Sequence, residues 1–173
     1  MRASALQLFI LLILPGAVSM LTDLGRNPFG FGALVVYFML VVFGWWYSVG
    51  MAANQRLDPD LQLNPIFLRI AVVVPFVYLA LFIFLYVIPL YNGVVQRPPS
   101  GFVILHFASI FCGAYCIWFC AKQFTTLRQG RETGFIDYYP AFMGFWISFV
   151  GVWFIQPRVI ESFRETLPDN QGG

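Results

Sequence analysis

The stretch IFLRIAVVVPFVYLALFIFLYVIPLY, at residues 66–91, indicates the class of fold, because Arg69 is its only charged residue. A helix needs about 20 mostly apolar residues to cross the roughly 30 Å of hydrocarbon in a bilayer. The stretch is longer than that, so it predicts a membrane-spanning helix. Pro75 lies well inside it and cannot donate a backbone hydrogen bond, so we expect a kink there. Pro89 is close enough to the end of the stretch to terminate the helix.

Four further apolar stretches occur in the chain, at residues 5–21, 31–53, 102–121 and 138–155. Only 10% of the residues are charged and 60% are hydrophobic, whereas about a quarter of the residues in a soluble globular domain are charged. The segments between the stretches are too short to form a second domain. We therefore predict an all-α fold, a polytopic membrane helical bundle of four to five transmembrane helices at residues 1–160. A short polar tail follows at residues 161–173.

The first apolar stretch has two interpretations. Arg2, the apolar run at residues 6–14 and the small residues at 17–19 are together typical of a secretory signal peptide with a cleavage site. The apolar run nevertheless continues through Leu21, and Pro15 could bend a short helix that stays in the protein. We favour the retained helix and leave cleavage as the alternative.

The charged residues exclude some functions and weakly indicate a topology. All eight acidic residues lie outside the five apolar stretches, so the sequence predicts no intramembrane carboxylate for ion coupling or acid–base chemistry. The net charge of +2 and the lack of a basic run argue against a nucleic-acid partner. Five spans with a cytoplasmic N-terminus place six basic residues inside, namely Arg2, Arg56, Arg69, Lys122, Arg128 and Arg131. Four basic residues then lie outside, namely Arg26, Arg97, Arg158 and Arg164.

Small residues recur at helical spacing in three of the predicted spans. They are Gly44, Ser48 and Ala52, then Ser109 and Gly113, then Gly144, Ser148 and Gly151. Small side chains let membrane helices approach closely, since burial of apolar groups gives no advantage in lipid. Each set can therefore serve packing within the bundle or docking of another membrane subunit. We favour internal packing, and the spacing alone does not decide between the two.

Three cysteines form one stripe along the predicted fourth span, at Cys112, Cys116 and Cys120. Thiolates one turn apart can share a metal ion, and His106 lies on the same helix. A zinc site, however, needs four ligands, and the chain has no other Cys or His. We predict that the cysteines are buried packing residues and that the protein binds no metal or other cofactor.

Three polar residues in or near the membrane are candidate functional positions: His106, Arg69 and Ser109. His106 and Ser109 are three residues apart on one helix, so they could be paired as base and nucleophile. No orienting group or oxyanion hole can be named beside them, and we predict no catalytic residue. Arg69 is near the start of its span, where its side chain can reach the headgroups and hold a lipid phosphate.

Short motifs are spread over the C-terminal three-quarters of the chain. They are WWYSVG at 45–50, LNPIF at 63–67, HF at 106–107, FC at 111–112, FCAK at 119–122, FIDY at 135–138 and GVWFIQPR at 151–158. Together they resemble a group of small bacterial multi-pass membrane proteins, whose most specific motif is the Gly-x-Trp-Phe-Ile-Gln-Pro-Arg ending. The resemblance implies a bacterial cytoplasmic (inner) membrane location and no particular activity. In that group Asn and a basic residue typically follow the ending, whereas Ile160 and Glu161 follow Val159 here.

Two classes of function are compatible with these features. The first is a non-enzymatic membrane subunit or assembly/anchor protein, whose partners are the lipid bilayer and a membrane protein bound through the small-residue faces. The alternative is a small transporter, channel or lipid-handling protein. Such a protein needs a polar path, for which the candidate residues are His106, Arg69, Ser109, Ser148, Tyr139 and Gln156.

Overall fold

The computed structural model describes residues 4–22, 28–95 and 97–165. Arg2, Arg26 and residues 166–173, which include most of the predicted tail, lie outside the described residues. The helices are α1 (Ala5–Leu21), α2 (Pro28–Asn54), α3 (Pro65–Phe82), α4 (Ile88–Tyr91), α5 (Ser100–Gln129), α6 (Phe135–Trp146) and α7 (Ser148–Glu165). The described part of the chain contains no strand, so the predicted all-α fold is confirmed.

Three helical segments are long and apolar enough to cross a membrane, namely Phe29–Asn54, Pro65–Tyr91 and Ser100–Gln129. α1 is a shorter apolar helix of 17 residues. Large apolar side chains are exposed along the second segment, among them Ile70, Val73 and Val77. An apolar outer surface of this kind is expected where lipid, and not water, surrounds the helix. These are the features of a membrane protein.

The second of these segments is one continuous helix. α3 passes through a π-helical turn at Ile83–Val87 into α4. The π-helical turn lies just before Pro89, which has no N–H for the carbonyl four residues earlier. The wider hydrogen-bonding pattern, which includes the bond from the Ile88 N–H to the Ile83 carbonyl, accommodates this missing donor. The helix ends at Tyr91, two residues beyond Pro89, as the sequence predicts.

Helices α2 and α5 lie side by side and run in the same direction. A Cβ placed on Gly113 would lie 3.8 Å from the Phe43 ring, and a Cβ on Gly50 would lie 3.5 Å from the Cα of Cys120. The contact nearer the N-terminus of α2 is thus also the one nearer the N-terminus of α5, so the two helices are parallel. The C-terminal ends of α2 and α5 are therefore at the same face of the bundle, together with the start of α3. We call this face the hairpin face, and the opposite one, which carries Val95 and Arg97, the far face.

The stretch at 138–155 is not the single span that the sequence predicts. The helix breaks at Ile147, whose φ of −92° and ψ of 61° are not helical, and α7 begins at the next residue. The Ser148 hydroxyl donates to the Phe145 carbonyl at 2.7 Å and so satisfies an acceptor at the break. Gly144 and Gly151 then bring the two helices together, because a Cβ on Gly151 would overlap the Gly144 carbonyl. The segment is a helical hairpin.

Both ends of this hairpin lie at the hairpin face. Near the start of α6, Asp137 lines the same cleft as Arg128 of α5 and Arg158 of α7. Farther along α7, the Phe163 ring lies 4.4 Å from the guanidinium carbon of Arg56, which follows α2. The five-span topology placed Arg158 on the opposite side of the membrane from Arg128. That placement is wrong, because the chain turns back at Ile147.

Some of the small-residue sets pack within the bundle, whereas one is open for the docking of another membrane subunit. Gly113 faces Phe43, and Gly144 and Gly151 form the hairpin contact, so these sets pack internally, as we favoured. Gly44 does not, since a Cβ placed on it would meet no atom within 4 Å, and Ser48 is exposed as well. The face of α2 that does pack on α5 carries Gly50 instead. The outward face of α2 is therefore free within the described part of the chain.

The core lies between α2, α5 and the hairpin. Cys116 and Cys120 are fully buried in it and Cys112 is half-buried, so the prediction of buried packing cysteines is confirmed. The hairpin is bonded to α2 through a buried polar pair. The Trp45 indole N–H donates to Oε1 of Gln156 at 2.9 Å, and both residues are at most 5% exposed.

Candidate functional site

A polar cleft of about 300 Å³ opens where the last turn of α5 meets α6 and α7. Its polar lining consists of Thr125, Arg128, Gln129, Asp137 and Arg158. Its apolar lining consists of Phe124, Pro140, Ala141 and Ile155. α5 reaches this position because it extends beyond the apolar stretch and ends at Gly130, whose φ of 63° is the left-handed conformation that favours glycine.

Local hydrogen bonds fix the loop that closes the cleft between α5 and α6. The hydroxyl groups of Thr126 and Thr133 are 2.9 Å apart and join the two ends of the loop. The Gly134 N–H donates to Oδ2 of Asp137 at 3.0 Å, which caps the first turn of α6. The Asp137 carboxylate also pairs with Arg131 at 3.3 Å. The only acidic residue of the cleft is thus already bound by a cation and a backbone donor.

The two arginines of the cleft have no such partner among the residues that the structure describes. Within the described residues, no carboxylate lies within ion-pair distance of Arg128 or Arg158. The guanidinium carbon of Arg128 lies 5.9 Å from the Phe124 ring centroid, a cation–π distance. The cleft therefore has an excess of positive charge above an apolar floor. Two guanidinium groups on one cavity can bind an anion, and the oxygens of a carboxylate or phosphate in particular.

The structure does not bring together the three candidate residues of the sequence. His106 is exposed on α5, and its Nδ1 lies 2.7 Å from the hydroxyl oxygen of Tyr78 on α3. Ser109 is half-buried, and no hydrogen bond between His106 and Ser109 occurs in the described part of the chain. Arg69 is exposed on α3. His106 thus bonds a neighbouring helix, which is the structural role that a histidine at this depth can have.

The other residues proposed for a polar path are also separated. Ser148 caps the break of the hairpin, Gln156 bonds Trp45, and Tyr139 is exposed on α6. None of the six path candidates lines the cleft or the two apolar grooves between α1 and α2, among cavities formed by described residues. The candidates for a transport path are therefore absent from the lining of these three cavities.

The cleft was not predicted from the sequence, because the five-span topology placed Arg158 on the opposite side of the membrane from Arg128. A hairpin was needed to bring Arg158 to Arg128, and hydropathy carries no signal for it. The sequence does contain one cue, since Gly144 and Gly151 flank Ser148 inside a single apolar stretch. Small residues on both sides of a helix-capping hydroxyl allow a tight reversal, but the same spacing also fits one face of a continuous helix.

One fully buried polar side chain in α5, that of Gln123, has no hydrogen-bond partner in the described part of the chain. Both amide atoms of Gln123 lack a hydrogen bond among the described residues, and the side chain is 0% exposed. A buried polar group without a partner costs about 1–3 kcal/mol of stability. Burial of the Gln123 amide therefore lowers the stability of the fold, compared with an apolar side chain of similar size at this position.

Comparison of the chain with models of known protein families, with curated proteins and with solved structures gives no match.

Proposed function

We propose that the protein is a non-enzymatic membrane subunit that associates with another membrane protein through the outward face of α2. In this arrangement α1, α2, the continuous helix Pro65–Tyr91 and α5 cross the membrane, and the α6–α7 hairpin dips into it from one side. The observation that carries the proposal is the open surface at Gly44, on a helix of membrane-spanning length.

The outward face of α2 has the composition of a helix-docking surface. Leu40 is 57% exposed, and Gly44 and Ser48 follow it at four-residue intervals on the same face. Neighbouring helices of the bundle leave this surface uncovered. In lipid, a face with small residues lets a second helix approach closely and gain van der Waals contact. We therefore commit to a spanning helix of another membrane protein as the occupant.

The distribution of charge supports a cytoplasmic location of the hairpin face. Six basic residues with described side chains lie at or near that face: Arg56, Arg69, Lys122, Arg128, Arg131 and Arg158. Arg97 alone lies at the far face among the described basic side chains. Basic residues are enriched in cytoplasmic loops, so we propose that the hairpin opens to the cytoplasm. The bacterial inner membrane as the location rests on the resemblance in the motifs.

The proposal is tested by substituting one open glycine and using another as the control. Gly44→Leu places a large side chain on the proposed docking face, whereas Gly101→Leu places one where a Cβ also meets no atom within 4 Å. A Cβ at Gly44, as at Gly101, has open space around it, so we expect both variants to fold. We expect a partner to co-purify after mild detergent extraction with the wild type and with Gly101→Leu, and to be lost with Gly44→Leu.

A crosslinking experiment identifies the contact inside the membrane. A photoreactive side chain at Ser48 should crosslink the same partner that co-purifies, while one at Gly101 should not. Wild-type protein that purifies only as a monomer, or only with further copies of itself, contradicts the proposal. So does a partner that remains bound to Gly44→Leu.

The alternative of a small transporter or channel has less support. Its path would run through polar side chains, and none of the six candidates lines the cleft or the two grooves between α1 and α2.

A further inference from the structure

We infer that the cleft between α5, α6 and α7 binds a phosphate group, held by the guanidinium groups of Arg128 and Arg158. This inference is independent of the proposed association through α2, because the cleft and the Gly44 face involve different residues. It rests on the charge of the cleft, its apolar floor and its position at the end of a membrane-spanning helix.

The charge of the cleft is not cancelled by its own carboxylate. Asp137 is paired with Arg131 at 3.3 Å and accepts a hydrogen bond from the Gly134 N–H. Arg128 and Arg158 line the cleft from two different helices, without an ion-pair partner among the described residues. Arginine presents a planar set of donors that fits phosphate oxygens, so two arginines converging on one cavity can bind a phosphate from two directions.

Uncharged donors lie beside the arginines. Thr125 and Gln129, whose side chains carry a hydroxyl and an amide, also line the cleft from the same last turns of α5 as Arg128. A phosphate has more acceptor positions than two guanidinium groups occupy, and neutral donors can bind the remaining oxygens. The polar lining therefore has both the charge and the donors that a phosphate monoester or diester requires.

The apolar part of the cleft indicates where such a ligand could come from. Phe124, Pro140, Ala141 and Ile155 are the apolar residues that line the cavity, and the cleft lies at the end of a helix of membrane-spanning length. An anionic phospholipid could place its headgroup at the arginines and its glycerol and first methylenes against this floor. A free phosphate or a small phosphate ester would use the arginines alone. Both sources share the chemistry that the cleft recognises.

The experiment measures binding to the purified full-length chain in an uncharged detergent. One arm adds phosphatidylglycerol, with phosphatidylcholine as the zwitterionic comparison, and detects bound lipid by native mass spectrometry. The other arm titrates inorganic phosphate or glycerol 3-phosphate by calorimetry. Arg128→Gln and Arg158→Gln remove one guanidinium each. Arg97→Gln is the matched control, because Arg97 is exposed at the far face and does not line the cleft.

We expect saturable binding that weakens about tenfold or more in either cleft variant, and that is unchanged in Arg97→Gln. Binding should also weaken as salt is raised. Binding of phosphatidylglycerol alone assigns the cleft to a lipid headgroup, and binding in the second arm assigns it to a free phosphate. Absence of saturable binding in both arms overturns the inference, as does an equal loss in all three variants.

Arg158→Lys guards against a result caused by misfolding. The substitution keeps the positive charge and removes the planar set of donors, so we expect an intermediate loss of affinity. Circular dichroism and thermal unfolding should show that each variant keeps its helices. If Arg158→Lys binds as weakly as Arg158→Gln while both are folded, the contribution comes from guanidinium geometry. If neither folded variant differs from the wild type, Arg158 does not bind the anion.

Discussion

The Gly151 backbone lies directly against the Gly144 carbonyl, and this contact closes the α6–α7 hairpin. No side chain separates the two helices at this point. α6 has 12 residues and is therefore about 18 Å long, which is shorter than the roughly 30 Å of bilayer hydrocarbon. The hairpin can therefore enter the membrane from the hairpin face and return without crossing it.

Gly151→Ala should destabilise the protein by about 1–3 kcal/mol or more, because the added methyl group overlaps the backbone of Gly144 and forces the helices apart. Thermal unfolding in detergent measures the change. Gly101→Ala is the control, since its Cβ has open space and alanine favours helix over glycine. Equal unfolding temperatures for the two variants would mean that the hairpin is not closed by this contact.

Labelling of cysteines introduced one at a time should show that both ends of the hairpin lie on the same side of the membrane. Gln129 is the last residue of α5, Glu161 lies near the end of α7, and Val95 lies at the far face, and each is replaced by cysteine in turn. We expect a membrane-impermeant maleimide to label the first two from one side of oriented vesicles and Val95→Cys from the other.

The wild-type chain is the blank for this experiment. Its cysteines lie on α5, a helix of membrane-spanning length, and Cys116 and Cys120 are fully buried. Labelling of Glu161→Cys from the same side as Val95→Cys would support the continuous fifth span instead of the hairpin.

The hydrogen bond between Trp45 and Gln156 should contribute to stability. Gln156→Met removes the acceptor and leaves the buried indole N–H of Trp45 without it, at a cost of about 1–3 kcal/mol. Trp45→Phe removes the donor and some packing. If the bond matters, the double variant should lose less stability than the sum of the two single variants, as measured by chemical unfolding. Strict additivity would show that the two side chains act independently.

Replacing Gln123 by methionine should stabilise the protein, whereas the same replacement at Gln156 should destabilise it. Gln123→Met replaces a fully buried amide that has no partner among the described residues by an apolar side chain of similar shape. We expect a gain of about 1 kcal/mol in the free energy of unfolding, because no hydrogen bond is lost and a desolvation cost is removed. A loss of stability in Gln123→Met comparable to that in Gln156→Met would show that the Gln123 amide does have a partner.

The sequence predicted the long helices closely because hydropathy reports them directly. The stretches at 31–53 and 66–91 correspond to Phe29–Asn54 and Pro65–Tyr91. α5 extends to Gln129, beyond the apolar stretch that ends at 121, because polar residues such as Gln123 and Thr126 are buried there in the core. Average hydropathy cannot reveal burial of this kind, since it depends on neighbouring helices.

The hairpin and the cleft could not be predicted for a related reason. Whether a run of apolar residues stays helical at Ile147 depends on a close contact between Gly144 and Gly151, which is a tertiary interaction. Once the reversal was missed, Arg158 was counted on the wrong side and its proximity to Arg128 could not be seen. The outward direction of Gly44 was equally hidden, because spacing defines a helix face but not what lies against it.

The hairpin also has a consequence for the biogenesis of the protein. A segment that reverses inside the hydrocarbon exposes unpaired backbone groups to lipid unless other protein segments surround it. The surrounding helices α1, α2 and α5 all precede the hairpin in the chain, and Phe9 of α1 contacts Trp153 of α7 with ring centroids 5.0 Å apart. Because synthesis begins at the N-terminus, α1, α2 and α5 are made before the hairpin. The α6–α7 segment can therefore insert against these helices and need not enter the lipid alone.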